Sequence, residues 1–284
     1  MKRTNIKNIK VLLMGGGGNQ LFQLARAWSL KNQDMDCCLL HFGKATPFVY
    51  KVAGLTLHRD WLETELLATK MGITVQNCNF KDALCITLVF LVRKFFRLLS
   101  KNIFDLELED TVRFYREGKK FPYDIGYFQS PCHLAPGAIE AVANALVRHH
   151  NIVINPDAAK ELTVHLRGGD FEPHERHGDE TVKTINKIAQ THGLKTKIIT
   201  NDKPFFEQLE SKGLNGSLPN TNSARDDFCY LGGSKNLVLS NSTFSFWAAA
   251  CSASIQQPNI YIAPTFAQKE LLSINLNILK GVNH

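Results

Sequence analysis

The stretch GGGGNQLFQLARAWSL, residues 15–30, decides how this chain is read. Directly before it stands IKVLLM, with the length and branched apolar content of a buried strand. Behind it, Leu21, Leu24, Ala25 and Trp28 recur at the three- and four-residue spacing of an amphipathic helix. The glycines therefore occupy a strand-to-helix turn. Such a turn lets backbone N–H groups approach a ligand, and the helix start behind it carries partial positive charge suited to a phosphate or carboxylate. A nucleotide P-loop needs a Lys-Ser/Thr pair after its last glycine, and a dinucleotide fingerprint needs a glycine three residues beyond its second. Here Gly18 is followed by Asn19 and Gln20, two uncharged amides. Two readings stay open from this stretch: a ligand-facing turn, or a tight connection whose Asn and Gln cap the helix.

The 284 residues exceed one average domain and suit two, each large enough for its own core. With 44% hydrophobic and 21% charged residues the composition is that of a globular protein. The excess of 33 Lys and Arg over 26 Asp and Glu gives a formal charge of +7, which favours an anionic partner: nucleotide phosphate, nucleic acid or an acidic membrane surface. The seven cysteines form no CxxC pair and lack zinc-finger histidines, so they are expected to be reduced, mostly buried thiols of a cytoplasmic protein. The N-terminal apolar run is too short for a signal-peptide core, and no secretion is expected.

Residues 83–101, ALCITLVFLVRKFFRLLSK, are an unusual segment. The uncharged part from Ala83 to Val92 is about half of what a spanning helix requires. Arg93, Lys94, Arg97 and Lys101 fall at helical spacing as a basic stripe. A core helix with a solvated edge explains the pattern. So does a helix resting on a membrane, with Phe95, Phe96, Leu98 and Leu99 in the acyl boundary and the basic stripe against anionic headgroups.

Strand-like and helix-like pieces alternate along both halves, which predicts an α/β protein with parallel sheets and ligand-facing loops at the strand C-termini. An N-terminal domain is expected over residues 1–150 and a C-terminal one over 151–284, with NIVINPD as the connection. In the second half, strands are expected at LTVHL, TKIIT and NLVLS, and each ends in polar residues: His165 and Arg167 with Asp170, Asn201 with Asp202, and Asn241, Ser242 and Thr243. These sets are expected to converge on one sheet edge, and two such lobes suggest a ligand held in a cleft between them.

VHLRGGD, residues 164–170, places His165 and Arg167 on one face of a strand end. An arginine suits a diphosphate because its guanidinium donates in a bidentate fork and keeps its charge. The alternative is an Arg167–Asp170 pair that merely closes the turn. NSTFSFWAAACSA, residues 241–253, offers an amide, two hydroxyls and helix-start N–H groups together, where capping alone would explain one of them. Asp34 and Asp36 of DMD have the spacing of a metal-binding carboxylate pair but lie in a short polar turn, without a His or third carboxylate nearby; a solvated turn is the expectation. The ten histidines include no HExxH, and no metal site is expected.

Taken together and in order, GGGGNQLFQLARAWSL, GYFQS, HLRGGD, DDFCYLGGSKNLVLSNSTFSFWAA and IYIAP resemble the family 11 glycosyltransferases, the α-1,2-fucosyltransferases. The resemblance runs from Val11 to about Pro264. It implies a metal-independent, GT-B-type α/β fold of two Rossmann-like lobes with parallel sheets and an inter-lobe cleft. It also implies inverting transfer of L-fucose from GDP-β-L-fucose to a hydroxyl of a galactose-containing glycan, the 2-OH of a β-galactoside, with no cofactor and no nucleic acid partner. Donor-binding residues carried over are Gly16, Gly18, Asn19 and Gln20, then His165 and Arg167, then Asn241, Ser242, Thr243 and Ser245, with Asn201 and Asp202 at the strand end beside them. Arg167 is the implied diphosphate clamp, with Asp170 orienting it, and Glu172 and Glu175 are the candidate general bases. The family usually has two adjacent arginines, and the second is Gly168 here. A bacterial enzyme of this kind would act in lipopolysaccharide or O-antigen assembly, in the cytoplasm or peripherally at the inner membrane face.

Overall fold

A computed structural model of the chain describes residues 9–41, 62–99, 111–112, 123–167, 178–240 and 242–262. The chain divides into two compact units, Met1–Ala138 and Ile139–His284, so the helix starting at Ala138 is counted with the second.

In the first unit, strand β1 (Ile9–Leu12) is followed by helix α1 (Gly17–Lys31), then β2 (Cys37–His41), helix α2 (Thr64–Lys70), β3 (Thr74–Asn77), helix α3 (Phe80–Leu99), β4 (Thr111–Val112) and β5 (Tyr123–Gly126). The sheet order is β3-β2-β1-β5-β4. All pairings are parallel except that of β4 with β5. β1 carries Val11 and Leu12 fully buried, as a strand covered on both faces requires. Leu12, Met14, Leu40 and Ile125 from the sheet region pack with Ala83 and Ile86 of α3. Strand β5 lies within the turn-rich stretch FPYDIGYFQSPCHLAPG. Its four residues, Tyr-Asp-Ile-Gly, carry no strand pattern; they are held by β1, with Lys10 opposite Tyr123 and Val11 opposite Asp124.

In the second unit, helix α4 (Ala138–His150) precedes β6 (Glu161–Leu166), helix α5 (Gly178–His192), β7 (Lys195–Thr200), helix α6 (Lys203–Ser211), helix α7 (Ala224–Gly232), β8 (Asn236–Leu239), helix α8 (Thr243–Ile255) and β9 (Asn259–Ile262). The sheet order is β7-β6-β8-β9, all parallel. Every residue of β6 and β8 is buried, the signature of central strands covered on both faces. Leu162, Val164, Leu166, Ile198 and Val238 form the apolar layer against Val182 and Ile185 of α5 and Phe205, Phe206 and Leu209 of α6. Helix α7 carries most of DDFCYLGG; Ser223 caps it, its hydroxyl accepting from Asp226 N at 3.1 Å.

The expected α/β class with parallel sheets is what the two units show. The cysteines depart from expectation: Cys38 and Cys251 are buried, Cys37, Cys78, Cys85 and Cys229 half-buried, and Cys132 exposed. Asp34 and Asp36 are exposed in the turn between α1 and β2. No helix among the described residues is long and apolar enough to cross a membrane.

Candidate functional site

Sheet order locates the crevices. In open parallel sheets, ligands bind outside the strand C-termini where successive connections leave in opposite directions. From β6 the chain steps to β7 on one side, then crosses to β8 on the other, so the switch point of the second unit lies between β6 and β8. In the first unit the chain steps from β1 to β2 and β3, and returns to β5 on the other side of β1. Both switch points are bordered by motifs singled out in the sequence.

At the β6/β8 crevice, Arg167 follows the last residue of β6, and its Nη1 donates to Ser242 Oγ at 3.2 Å. Ser242 is also the N-cap of α8, its hydroxyl oxygen accepting from Phe244 N at 3.2 Å. One hydroxyl thus ties the guanidinium to the positive end of a helix dipole. The guanidinium and the helix start together favour an anion in this crevice.

His165 sits one layer deeper. Its ring is stacked on Phe244, with centroids 5.0 Å apart, and Nδ1 lies 2.6 Å from Ser240 Oγ. Burial, with the Arg167 charge adding to it, pulls the imidazole down to about 3, so the ring is neutral. The serines set its tautomer. Ser245 Oγ donates to the carbonyls of Ser240 and Ser242, at 3.0 and 3.1 Å, which uses its single proton. Ser240 Oγ, 3.3 Å from Ser245 Oγ, is then the donor in that pair, and it accepts from His165 Nδ1–H. By this assignment Nε2 carries the lone pair.

The structure therefore brings His165, Arg167, Ser242 and Ser245 into one bonded cluster, with Thr243 as the first residue of α8. Asn201 and Asp202 follow β7, which is paired with β6 up to Leu166 opposite Thr200. Asn201 is exposed, while Asp202 caps α6, its Oδ1 accepting from Phe205 N at 3.0 Å. Asp170, Glu172, Glu175, Gly168 and Asn241 lie outside the described residues.

At the β1/β5 crevice, Gly15 has a φ of +76°, and a Cβ there would stand 2.9 Å from Asn19 Nδ2 and 3.0 Å from Tyr127 Cε1. Any side chain here would be strained, which glycine avoids. Gly16, the N-cap of α1, has extended backbone and nothing within 4 Å of an added Cβ, so this position is open space. Gly17 and Gly18 are buried in the first turn of the helix. Neither Asn19 nor Gln20 caps α1, since Gly16 caps it without a side-chain bond. Gln20 is buried and donates from Nε2 to Gly15 O at 3.0 Å, holding the turn closed. Asn19 Oδ1 accepts from Gln129 Nε2 at 2.9 Å, which joins the glycine turn to GYFQS after β5.

Three residues not assigned from the sequence complete the two crevices. Ser240 fixes the His165 ring, and Phe244 supports it. Gln23, fully buried, bonds Met14 N at 2.9 Å, Met14 O at 3.2 Å and Gly126 O at 3.0 Å, clamping the ends of β1 and β5 together. Gln23 was readable only as a polar residue on the apolar face of α1.

The groups of described His, Cys, Asp and Glu include no cluster of three that would hold a metal ion. These features define a two-unit α/β protein whose second unit brings an arginine, a serine and a helix start together at the switch point of its sheet. No protein-family model matches the chain, and no curated protein matches it by sequence. Among solved structures, the chain is similar to the fucosyltransferase NodZ from Bradyrhizobium at 16% identity, covering 86% of this chain and 92% of that one, with a TM-score of 0.43. It is similar to POFUT1 in complex with GDP-fucose at 10% identity, covering 92% and 99%, with a TM-score of 0.40. The E. coli heptosyltransferase WaaC with ADP shares 11% identity over 89% of this chain and 86% of that one, with a TM-score of 0.40.

Proposed function

We propose that this chain transfers L-fucose from GDP-β-L-fucose to a glycan hydroxyl with inversion, the acceptor being the 2-OH of a β-galactoside. The observation that carries the reading is the Arg167–Ser242 bond at the N-terminus of α8, at the switch point of a parallel sheet. It is the charge a leaving diphosphate needs when no metal supplies it. The motif order from the glycine turn through HLRGGD to NSTFS supplies the choice of donor sugar.

In this reading the second unit holds the donor. Arg167, the α8 start at Ser242 and Thr243, and Asn241 meet the diphosphate; His165, Asn201 and Asp202 line the nucleotide side. Ser245 acts from beneath, by fixing the backbone and the His165 tautomer. The first unit is the acceptor-side lobe, and Gly16, Gly18, Asn19 and Gln20 of its glycine turn are its proposed donor-binding residues, Gln20 also closing the turn. The acceptor oxygen attacks C1 as the C1–O bond to the β-phosphate breaks, and GDP departs with the bonding pair. The acceptor proton passes to a carboxylate, for which Glu172 and Glu175 are the candidates, while Asp170 orients Arg167. No cofactor or metal enters the reaction, and nucleic acid is not a partner. A lipid-linked or outer-core glycan at the cytoplasmic face of a bacterial membrane is the acceptor class this reading favours.

The test is GDP release from GDP-fucose with and without a β-galactoside, followed by linkage analysis of the product. Acceptor-dependent release with an α-1,2 linkage is expected. Release with another linkage, or only with another GDP-sugar, would revise the specificity. Nucleotide binding without turnover would make the protein a binding module, a reading prompted by Gly168 in place of a second arginine.

A further inference from the structure

Among its described side chains, helix α3 packs on the first sheet by one side. Ala83 and Ile86 are buried against Leu12, Leu40 and Ile125, and Asp82 is buried beside them. On another side, four large apolar side chains stand in solvent: Phe80 is 84% exposed, Leu84 59%, Leu88 60% and Leu91 45%. Their spacing of four, four and three residues aligns them in one stripe along the helix. Single exposed leucines are ordinary, but an aligned row is a contact surface. The helix continues to Leu99, and the sequence repeats the same spacing at Phe95 and Leu98.

Charge says what covers this row. Between Ala83 and Phe104 the sequence holds Arg93, Lys94, Arg97 and Lys101 and no Asp or Glu. Exposed Lys81 adds a cation beside Phe80. The one nearby carboxylate on the helix, Asp82, is turned inward and taken by Lys10 at 2.7 Å and Tyr123 at 2.6 Å, so it offsets nothing outside. By helical spacing Lys81 and Lys94 flank the apolar row, which with the chain's formal charge of +7 makes it complementary to an anionic lipid surface: acyl chains for the row, headgroups for the flanking cations. A second copy of this chain would bring the same positive charge against itself.

We propose that α3 docks this chain onto anionic membranes, lying in the interface plane with Phe80, Leu84, Leu88 and Leu91 inserted. The proposal assumes nothing about the sugar transferred. It refines the membrane-resting expectation by replacing a face centred on Phe95, Phe96, Leu98 and Leu99 with one that begins a full four turns earlier, at Phe80.

The experiment is co-sedimentation of the full chain with phosphatidylglycerol vesicles and with phosphatidylcholine vesicles. Binding to the first, weakened by added salt, and little binding to the second are expected. The double variant Leu84→Gln/Leu88→Gln should lower binding about tenfold or more, because each exposed leucine contributes roughly a tenfold factor when buried in lipid. Its thermal midpoint should be unchanged, and so should transfer to a soluble disaccharide. Absence of binding by the parent chain would overturn the proposal, as would binding that the double variant leaves intact. A double variant that melts markedly lower would mean that the row is covered by this chain itself. Concentration-dependent dimers, abolished by the double variant and present without lipid, would assign the row to a second copy. Either outcome overturns membrane docking without touching the transferase reading, which the GDP-release assay decides separately.

Discussion

His165 Nδ1 lies 2.6 Å from Ser240 Oγ, at the base of the crevice that Arg167 borders. Burial and the Arg167 charge keep the imidazole neutral, while Ser245 orients Ser240 and the pair sets the tautomer, with the lone pair at Nε2. A neutral ring beside a guanidinium leaves the charge of the crevice to Arg167.

A pH dependence follows. The ordinary imidazole value in the unfolded chain is near 6.5, and in the folded chain burial and Arg167 lower it to about 3. Between those values the unfolded state binds a proton that the folded state does not, so the contribution of His165 makes stability fall as the pH drops below about 6.5. Below about 3 that part is fully lost. Denaturant unfolding at several pH values should show this slope, and His165→Asn, which does not titrate, should flatten it. The same shift predicts no loss of transfer from His165 protonation between pH 5 and pH 7.

Arg167→Ala should lower kcat by ~10²–10³, the effect of one lost donor to a developing oxyanion. Stability should change little, since the residue is only half-buried. Gly168→Arg, which restores the usual pair of the resembled family, should keep or raise activity. A near-normal rate in Arg167→Ala, measured by GDP release, would remove the clamp assignment.

Adjacent glycines should respond differently. Gly15→Ala meets both a positive φ and side chains within 3.0 Å, so it should destabilise the fold by ~1–3 kcal/mol. Gly16→Ala meets neither, and should cost less than about 1 kcal/mol of stability. Its methyl would nonetheless occupy the open space at the start of α1, so it should raise the donor KM. Thermal unfolding and steady-state kinetics on the two variants separate these effects.

Gln23→Leu should destabilise the first unit by ~1–3 kcal/mol, because Met14 N loses its partner in a buried place. Chemical denaturation measures it. The donor affinity of the second unit should be unaffected, as nucleotide titration would show.

Dialysis against EDTA should leave the transfer rate unchanged, since Arg167 and the start of α8 supply the positive charge. Loss of activity restored by Mn²⁺ or Mg²⁺ would return Asp34 and Asp36 to consideration.

Local chemistry made much of this protein legible in its sequence. The glycine run between IKVLLM and a helical apolar pattern marks a strand-turn-helix, because glycine takes the φ of +76° at Gly15 without the strain a side chain would bring. LTVHL and NLVLS fall in fully buried central strands because their branched apolar residues need cover on both faces, while TKIIT, in the edge strand, buries Thr196, Ile198 and Ile199 and leaves Lys197 and Thr200 half-buried. The polar residues ending them fall on one edge because parallel strands share a direction. Tertiary structure decided what depends on partners distant in the chain. The four-residue β5 exists only beside β1, and Asn19 meets Gln129 across 110 positions. Ser240 became the anchor of His165, and Gln23 the clamp of β1 and β5, through the order of strands in each sheet. That order is set by crossovers between elements, which leave no local mark in composition or spacing. The same holds for α3: its periodicity gave a helix, but only its packing on Leu12, Leu40 and Ile125 determined that Phe80, Leu84, Leu88 and Leu91 were the side left to solvent.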